Sequence, residues 1–234
     1  MEHFAGLDVG TKASSLCVVD QEGEIIFEAD IPTDPDLIAK ALRPWRRSLR
    51  RVGHEAGSMS PWLHAELERR GLPVICLEAY HARAAMRAQR NKTDQTDARG
   101  LAHLVRAGWF RSVHIKSDQS YRLRFLLSQR ALLVRKRVDI ENSIRQSLKV
   151  FGLRMGIAGK AKFEGRAREL VGDDPVLSGL VEAMLRVRQT ILEEIARLHK
   201  LVIGVVARDE LCRRYLRIPG VGPITALSFK TAID

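Results

Sequence analysis

The sequence has few of the residues that build disulfide-rich or membrane-spanning proteins. Only three of its 234 residues are cysteines, and Cys17, Cys76 and Cys212 lie far apart, with no CxxC pair and no histidine at metal-ligand spacing. We therefore predict that they are buried, reduced thiols. No apolar run approaches the roughly 18 residues that a membrane span needs. The start, MEHFAGLDVG, lacks a basic leader followed by an apolar run, so we expect a cytoplasmic protein.

The sequence has fewer acidic than basic residues. The 39 lysines and arginines exceed the 28 aspartates and glutamates, which gives a formal net charge of +11 and a pI near 10.1. Residues 111–165 alone contain 13 basic and four acidic residues. A polyanionic partner would neutralise this excess and release counterions on binding, so the pattern favours a nucleic-acid-binding surface. The alternative is a solvated helix face that keeps the protein soluble.

The first half of the sequence alternates between strand and helix patterns. Three short strands are predicted in FAGLDVG, ASSLCVVD and EIIFEADI, with the tight turn QEG between the last two. A helix over residues 34–51, a helix over 60–70, a buried strand at PVICL and a helix over 79–88 follow. Strands that alternate with helices in this way predict an α/β sheet.

The second half has two long helix patterns. Apolar residues repeat at steps of seven and four from Tyr121 to Phe151, and at steps of three and four from Leu177 to Val205. Such seams are typical of coiled coils, and the connector 152–174 is long enough for an antiparallel hairpin. Alternatively, each helix pairs with a copy of itself, or the region is a compact helical subdomain. The predicted division is a catalytic-sized domain 1–115, a coiled-coil region 116–207 and the start of a further domain at 208–234.

Four acidic residues lie at element boundaries in the first hundred positions. Asp8 ends the first predicted strand, Glu55 follows the next core strand in VGHEAG, and Asp94 and Asp97 are three apart at a helix start, where they share one face. Carboxylates brought together repel each other unless a divalent cation neutralises them, and Mg²⁺ prefers such oxygen ligands. Taken singly, Asp8 also fits a turn, Glu55 a surface position, and Asp94 or Asp97 a helix cap.

Three segments, GLDVGTKASSLCVVDQEGEII, HEAG and NKTDQTDARGLAHLVRAG, resemble the DEDD transposases of bacterial insertion sequences, relatives of the Piv-type invertases. The amino-terminal domain of that family resembles the RuvC resolvase, which implies an RNase H-like fold. PGVGPITA resembles the start of the family's carboxy-terminal domain, so the resemblance extends over essentially the whole chain.

The resemblance also implies a mechanism. It implies that Asp8, Glu55, Asp94 and Asp97 are the catalytic, Mg²⁺-binding acids, and that a non-coding bridge RNA guides recombination of donor and target DNA. A serine nucleophile of the carboxy-terminal domain is implied as well. We expect this serine beyond Asp234, where the natural protein is predicted to continue.

Further residues are candidates for nucleic-acid binding. In the PGVGP turn, the amides of Gly220 and Gly222 are placed to meet a phosphate if the segment is a helix-hairpin-helix, although an ordinary interhelix turn fits equally well. Basic residues before the second acid pair lie where a nucleic-acid backbone must pass to reach the metal, and a second set lines the first long helix. The two sets are Arg83, Arg87, Arg90 and Lys92, and then Arg122, Arg124, Arg130, Arg135, Lys136, Arg137, Arg145 and Lys149.

The predicted function is a Mg²⁺-dependent DNA transposase or recombinase that binds DNA and a guide RNA and assembles as a homo-oligomer through the coiled coil. One rival is a sugar kinase or actin-like ATPase, because LDVGT also resembles the phosphate-binding hairpin of that superfamily. No second Gly-rich nucleotide motif follows it. Another rival is a non-catalytic nucleic-acid-binding scaffold.

Overall fold

A computed structural model describes residues 1–86, 93–159 and 161–234. The chain divides into two compact units, Met1–Lys116 and Ser117–Asp234. Across the described ranges, no helix combines the length and the apolar character that crossing a membrane requires.

The first unit is built on a mixed five-stranded sheet. Its strands lie in the order β3-β2-β1-β4-β5, with β2 antiparallel to β1 and β3, and β4 parallel to β1 and β5. This sheet confirms the predicted α/β class and agrees with the RNase H-like fold that the resemblance implies. The strands are β1 (His3–Val9), β2 (Ala13–Asp20), β3 (Ile25–Pro32), β4 (Leu49–Glu55) and β5 (Val74–Leu77).

Helices cover both faces of this sheet. The helices are α1 (Pro35–Leu42), α2 (Ser60–Arg69), α3 (Ala79–Met86) and α4 (Asp94–Ala107). One core cluster contains Leu7 and Leu16 from the sheet together with Ile38 of α1 and Leu63 of α2. The opposite face of the sheet packs against α4. The central strands are therefore buried on both faces, which explains why their sequences are almost continuously apolar.

The helix predicted over residues 34–51 is wrong in its second half. The α-helix ends at Leu42, a short 3₁₀ turn covers Arg43–Trp45, and β4 begins at Leu49. Pro44 lacks a backbone N–H, so it cannot continue an α-helix. Leu49, which lies inside the predicted range, instead begins β4 and is buried in the sheet.

The second unit is helical. Its helices are α5 (Asp118–Lys149), α6 (Phe163–Val171), α7 (Pro175–Arg208), α8 (Glu210–Tyr215) and α9 (Pro223–Ile233). The end of α5 packs on the start of α7 through Leu148 and Leu185, and the start of α5 packs on the end of α7 through Leu123 and Val202. The two long helices are therefore antiparallel, as predicted. Helix α6 was not predicted; it lies within the connector.

A buried ion network joins α5, α6 and α7. Arg188 is only 2% exposed, and it donates from Nε to Glu141 Oε1 at 2.9 Å and from Nη1 to Glu164 Oε1 at 2.7 Å. Its guanidinium also lies 5.0 Å from the ring centre of Phe163. A buried charge is tolerated only with such partners. Sliding one helix past another would separate these partners, so the network opposes a change of register.

The three cysteines are buried and form no disulfide, as predicted. Burial, with a smaller effect of nearby Glu28, raises the pKa of the Cys17 thiol to about 12. Burial also raises the pKa of Cys76 to about 11. Both side chains are therefore protonated at neutral pH, and they act as small apolar residues of the core.

The free energy of unfolding of the first unit is expected to depend on pH, because two neighbouring histidines pack inside it. His54 of β4 is fully buried, and its Nε2 lies 2.9 Å from Nδ1 of His64 on α2. Burial, reinforced by His64, lowers the pKa of His54 to about 4. Below about pH 6.5 the unfolded chain binds a proton that the folded chain does not, so the free energy of unfolding falls as the pH falls to about 4. We expect a loss of about 3 kcal/mol over this interval.

Urea unfolding at pH 7, 6 and 5, followed by tryptophan fluorescence, measures this effect. All three tryptophans, Trp45, Trp62 and Trp109, lie in the first unit and report on it alone. His54→Gln is expected to flatten the pH dependence. His114→Gln, at an exposed position, serves as the control and should leave it intact. An equal pH dependence in wild type and His54→Gln would contradict the assignment.

Candidate metal centre and nucleic-acid surfaces

Asp8 and Glu55 are brought together at the carboxyl end of two neighbouring strands. In the parallel register of β1 and β4, Leu7 pairs with His54, so the next residues, Asp8 and Glu55, are side by side. Both line one cleft of about 200 Å³ beyond the strand ends. Both are partly buried. The two strands therefore present two carboxylates to the same small cavity.

The side chains of this pair point to the face of the sheet that carries α4. Gly6 lies against the backbone of α4, and Gly53 lies against Val105 of that helix. Residues two apart in a strand point to the same face. Asp8 and Glu55, each two residues after one of these glycines, therefore point to the α4 side.

The close approach of α4 depends on Gly6. A Cβ atom at this position would lie 2.1 Å from the carbonyl oxygen of Ala98 and 2.3 Å from the amide nitrogen of Ala102. Real Cβ atoms do not approach backbone so closely, so only glycine permits this packing. The helix backbone consequently lies directly on β1, two residues before Asp8.

Hydrogen bonds place the start of α4 at the same edge of the sheet. Ser15 pairs with Asp8 across β1 and β2, and its Oγ donates to Asp30 Oδ1 on β3 at 2.5 Å. Gln95, in the first turn of α4, donates to Asp30 Oδ2 at 3.4 Å. The first turn of α4 therefore lies beside the carboxyl-end edge of the strands, the edge that also carries Asp8 and Glu55.

The sequence around the second acid pair fixes this helix start. Thr93 is the N-cap, and its side chain and that of Thr96 bond each other's backbone amides in a capping box. Asp94 and Asp97 then fall in the first turn, where the helix dipole favours negative charge. Asp94 is exposed and Asp97 is half-buried.

Asp8 and Glu55 thus lie at the same edge of the sheet as the helix turn that carries Asp94 and Asp97, but the four acids do not form a compact cluster. Among the described residues, no group of three or more His, Cys, Asp or Glu side chains is arranged to hold a metal ion. Asp8 and Glu55 share a cleft, and Asp94 and Asp97 share a helix turn. The set consists of carboxylates, whose oxygens are the ligands that Mg²⁺ prefers. Its chemistry fits a divalent cation.

Two supporting interactions were missed in the sequence analysis. Ser60 Oγ donates to the carbonyl oxygen of Glu55 at 2.8 Å and accepts from the Gly57 amide at 2.7 Å, which closes the loop that follows Glu55. The Ser15 and Asp30 pair fixes the strand edge beside Asp8. A serine directly before a proline at a helix start was the available signal for Ser60. Nothing in the sequence paired Ser15 with Asp30.

The basic residues of α5 differ in their accessibility. Arg137 has a side chain only 12% exposed, 3.9 Å from Glu141, and Arg145 stacks on Phe163 at 4.7 Å. Arg130 is also partly buried. These three pack within the helical unit, which leaves a narrower surface than the sequence predicted. The exposed members are Arg122, Arg124, Arg135, Lys136 and Lys149.

The structure describes only some of the other residues that were predicted to bind nucleic acid. Arg87, Arg90 and Lys92 lie outside the described residues, and of Arg83 only the backbone, within α3, is described. In the PGVGP turn, Gly220 has a positive φ of 84°, and Gly222 is the N-cap of α9. The turn therefore exposes backbone at a helix start, as both interpretations of this motif require.

Comparison with known proteins gives a family match. The transposase family model DEDD_Tnp_IS110 matches residues 5–152. The chain is 26% identical to the transposase for insertion sequence element IS1111A of Coxiella burnetii, over 97% of this chain and 62% of that protein. It is 25% identical to a probable family 20 transposase of Pseudomonas aeruginosa, over 78% of this chain and 49% of that protein. The chain thus spans about half to three-fifths of these relatives.

Solved structures give weaker likenesses. The Thermus thermophilus RuvC structure aligns with 47% of this chain and 99% of that chain, at 14% identity and a TM-score of 0.37. A ROK hexokinase from Thermus thermophilus aligns with 40% of this chain and 39% of that chain, at 19% identity and a TM-score of 0.29.

Proposed function

Since the chain belongs to the DEDD_Tnp_IS110 transposase family, we propose that it is the nuclease-like, nucleic-acid-binding body of a DNA transposase or recombinase. The observation that carries the proposal is the convergence of Asp8, Glu55 and the first turn of α4 at one edge of the sheet. These are the elements on which the DEDD acids lie.

We assign the metal-holding role to Asp8, Glu55, Asp94 and Asp97. A bound Mg²⁺ supplies charge neutralisation and activation of an attacking oxygen in phosphodiester chemistry. Gly6 and Gly53 allow α4, the helix that carries Asp94 and Asp97, to lie directly on the strands that carry the other two acids. Ser60 fixes the backbone of Glu55. The protein thereby positions its ligands from two strands and one helix.

Binding of DNA and of a guide RNA is the second part of the proposal. The exposed cations of α5 supply phosphate contacts that are blind to base sequence, so they suit both nucleic acids. The bridge RNA follows from the family resemblance. Residues 208–234 are proposed as the start of the carboxy-terminal transposase domain, and the α5–α7 pair as the surface through which copies assemble.

Salt dependence tests the nucleic-acid-binding part. The five exposed cations on α5 are expected to contribute about −4 to −5 to the slope of a plot of log affinity against log salt. Arg124→Gln with Arg135→Gln should reduce that slope by about two. The measurement is fluorescence anisotropy with labelled duplex DNA and with labelled RNA at four salt concentrations.

A matched pair of substitutions controls for net charge. Lys40→Gln with Arg43→Gln removes the same two charges from exposed positions on the first unit and should leave the slope unchanged. A flat salt profile in the wild type would count against the basic surface of α5.

The family match favours the transposase over the two rivals. A sugar kinase or actin-like ATPase would bind ATP, so absence of ATP binding by calorimetry is the expected result. A non-catalytic scaffold would bind nucleic acid but show no Mg²⁺-dependent strand cleavage. Cleavage of plasmid DNA by a protein of the full length of its relatives, with Mg²⁺ and with excess chelator, separates that rival from the proposal.

A further inference from the structure

A basic cleft lies on the helical unit, on a different element from the basic face of α5. It has a volume of about 550 Å³ and lies between the last turns of α7, the start of α5 and helix α9. Four cationic side chains line it against one carboxylate. The cleft is lined, among others, by Arg197, Lys200, Gly204, Arg208, Asp209 and Lys230.

Two of its cations are available to a ligand. Lys230 is paired with Asp209, and Arg197 is paired with Glu194. Lys200 and Arg208 are exposed, and neither forms an ion pair within the portion of the chain that the structure describes. As far as the structure describes the chain, the cleft therefore keeps two positive charges, those of Lys200 and Arg208, without an ion-pair partner.

The spacing of these residues suits a nucleic-acid strand. Lys200, Gly204 and Arg208 follow each other at steps of four, so they lie along one face of α7. At 1.5 Å per residue, Lys200 and Arg208 are about 12 Å apart along the helix. This distance equals the axial rise of three to four phosphates on one strand of a duplex.

Gly204, between these two cations, allows a ligand to come close to the backbone of α7. Gly204 is exposed in the interior of a long helix, and nothing lies within 4 Å of the position that a Cβ would occupy. Glycine destabilises a helix interior, and packing within the protein does not require it here. A glycine on the floor of a cationic cleft leaves the helix backbone open to a bulky anionic chain.

We propose that this cleft binds the phosphodiester backbone of a nucleic acid, through Lys200 and Arg208, over the floor formed by Gly204. The inference rests on the proposed function, because it takes nucleic acid as the substrate. It adds a second binding surface on α7, in a segment for which the sequence analysis named no basic residue.

The charge test compares two double variants of the full chain. Lys200→Gln with Arg208→Gln is expected to weaken binding about tenfold and to reduce the salt slope by about two. The control, Arg154→Gln with Arg186→Gln, removes two exposed charges from the same unit outside the cleft and should leave both values unchanged. Anisotropy with labelled duplex DNA and with labelled RNA shows which nucleic acid depends on the cleft.

A second test changes no charge. Gly204→Leu fills the floor of the cleft and should weaken binding several-fold, about fivefold, while raising helix stability. Gly179→Leu is the control, because Gly179 is also exposed in α7 with open space around its Cβ position. Circular dichroism checks that both variants are folded.

The outcomes separate the two proposals. If the wild type binds neither duplex DNA nor RNA, the proposed function fails, and the cleft fails with it. If the wild type binds but the cleft variants bind equally well, or if the control variants lose as much affinity, only the cleft assignment is overturned. Loss for one nucleic acid alone supports the cleft and identifies its ligand.

Discussion

Asp8→Asn is expected to reduce Mg²⁺-dependent strand cleavage about a thousandfold, because a metal ion contributes several kcal/mol of transition-state stabilisation and needs its carboxylate ligands. Asp8 shares a cleft with Glu55 and lies at the strand edge that the first turn of α4 approaches. The neutral amide keeps the size of the side chain but removes the charge that attracts the cation. Affinity for nucleic acid should not fall, since the substitution removes no phosphate contact.

Two measurements test this expectation. Cleavage of supercoiled DNA is followed under single-turnover conditions with a protein of the full length of its relatives, which would include the expected serine nucleophile, and Mg²⁺ binding to the 234-residue chain is measured by calorimetry. Glu24→Gln is the matched control, because Glu24 is an exposed acid in the β2–β3 turn. It should behave as wild type in both assays. Unchanged Mg²⁺ affinity in Asp8→Asn would end the metal assignment and leave the scaffold alternative.

The sequence was sufficient to predict most strands and the two long helices, but not the start of β4 or the helix in the connector. Periodicity identified β1, β2, β3, α5 and α7, because each has an uninterrupted apolar pattern. It extended the first helix through Pro44 into β4, because the apolar spacing of a buried strand also fits a helix over a few residues. Helix α6 was missed, since only nine residues inside a glycine-containing connector form it.

The candidate site, like the fold, could be predicted only in part from the sequence. Residue type and position at element ends suggested the four acids, but what brings them to one edge is tertiary. The register of β1 with β4, the contact of Gly6 with α4 and the Ser15–Asp30–Gln95 hydrogen bonds join residues far apart in sequence. Likewise, nothing in the heptad pattern of α7 indicated that Arg188 is buried.

The contact between Gly6 and α4 leads to the second large prediction. Gly6→Ala places a methyl group 2.1 Å from the Ala98 carbonyl oxygen, and the atoms it meets are backbone, which cannot rotate away. We expect the free energy of unfolding of the first unit to fall by about 3 kcal/mol or more, since overpacking against rigid atoms forces the backbone to move. Urea unfolding followed by tryptophan fluorescence measures it.

A graded series distinguishes this mechanism from a general cost of replacing glycine. At Gly53 the nearest atom to a new Cβ is the Val105 Cγ1 side-chain atom, at 2.4 Å, so Gly53→Ala should cost about 1–2 kcal/mol. At Gly57 the nearest atom is 3.8 Å away, and Gly57→Ala should change stability by less than about 0.5 kcal/mol. Equal losses at Gly6 and Gly57 would contradict the mechanism.

The Gly6 substitution also connects the fold to the proposed chemistry. Relief of the clash requires α4 to move away from β1, and Asp94 and Asp97 move with it because the capping box at Thr93 fixes them in the first turn. Folded Gly6→Ala, measured at a temperature well below its melting point, should therefore bind Mg²⁺ more weakly although all four acids are intact. Wild-type Mg²⁺ affinity in the folded variant would show that the acids of α4 do not share a site with Asp8 and Glu55.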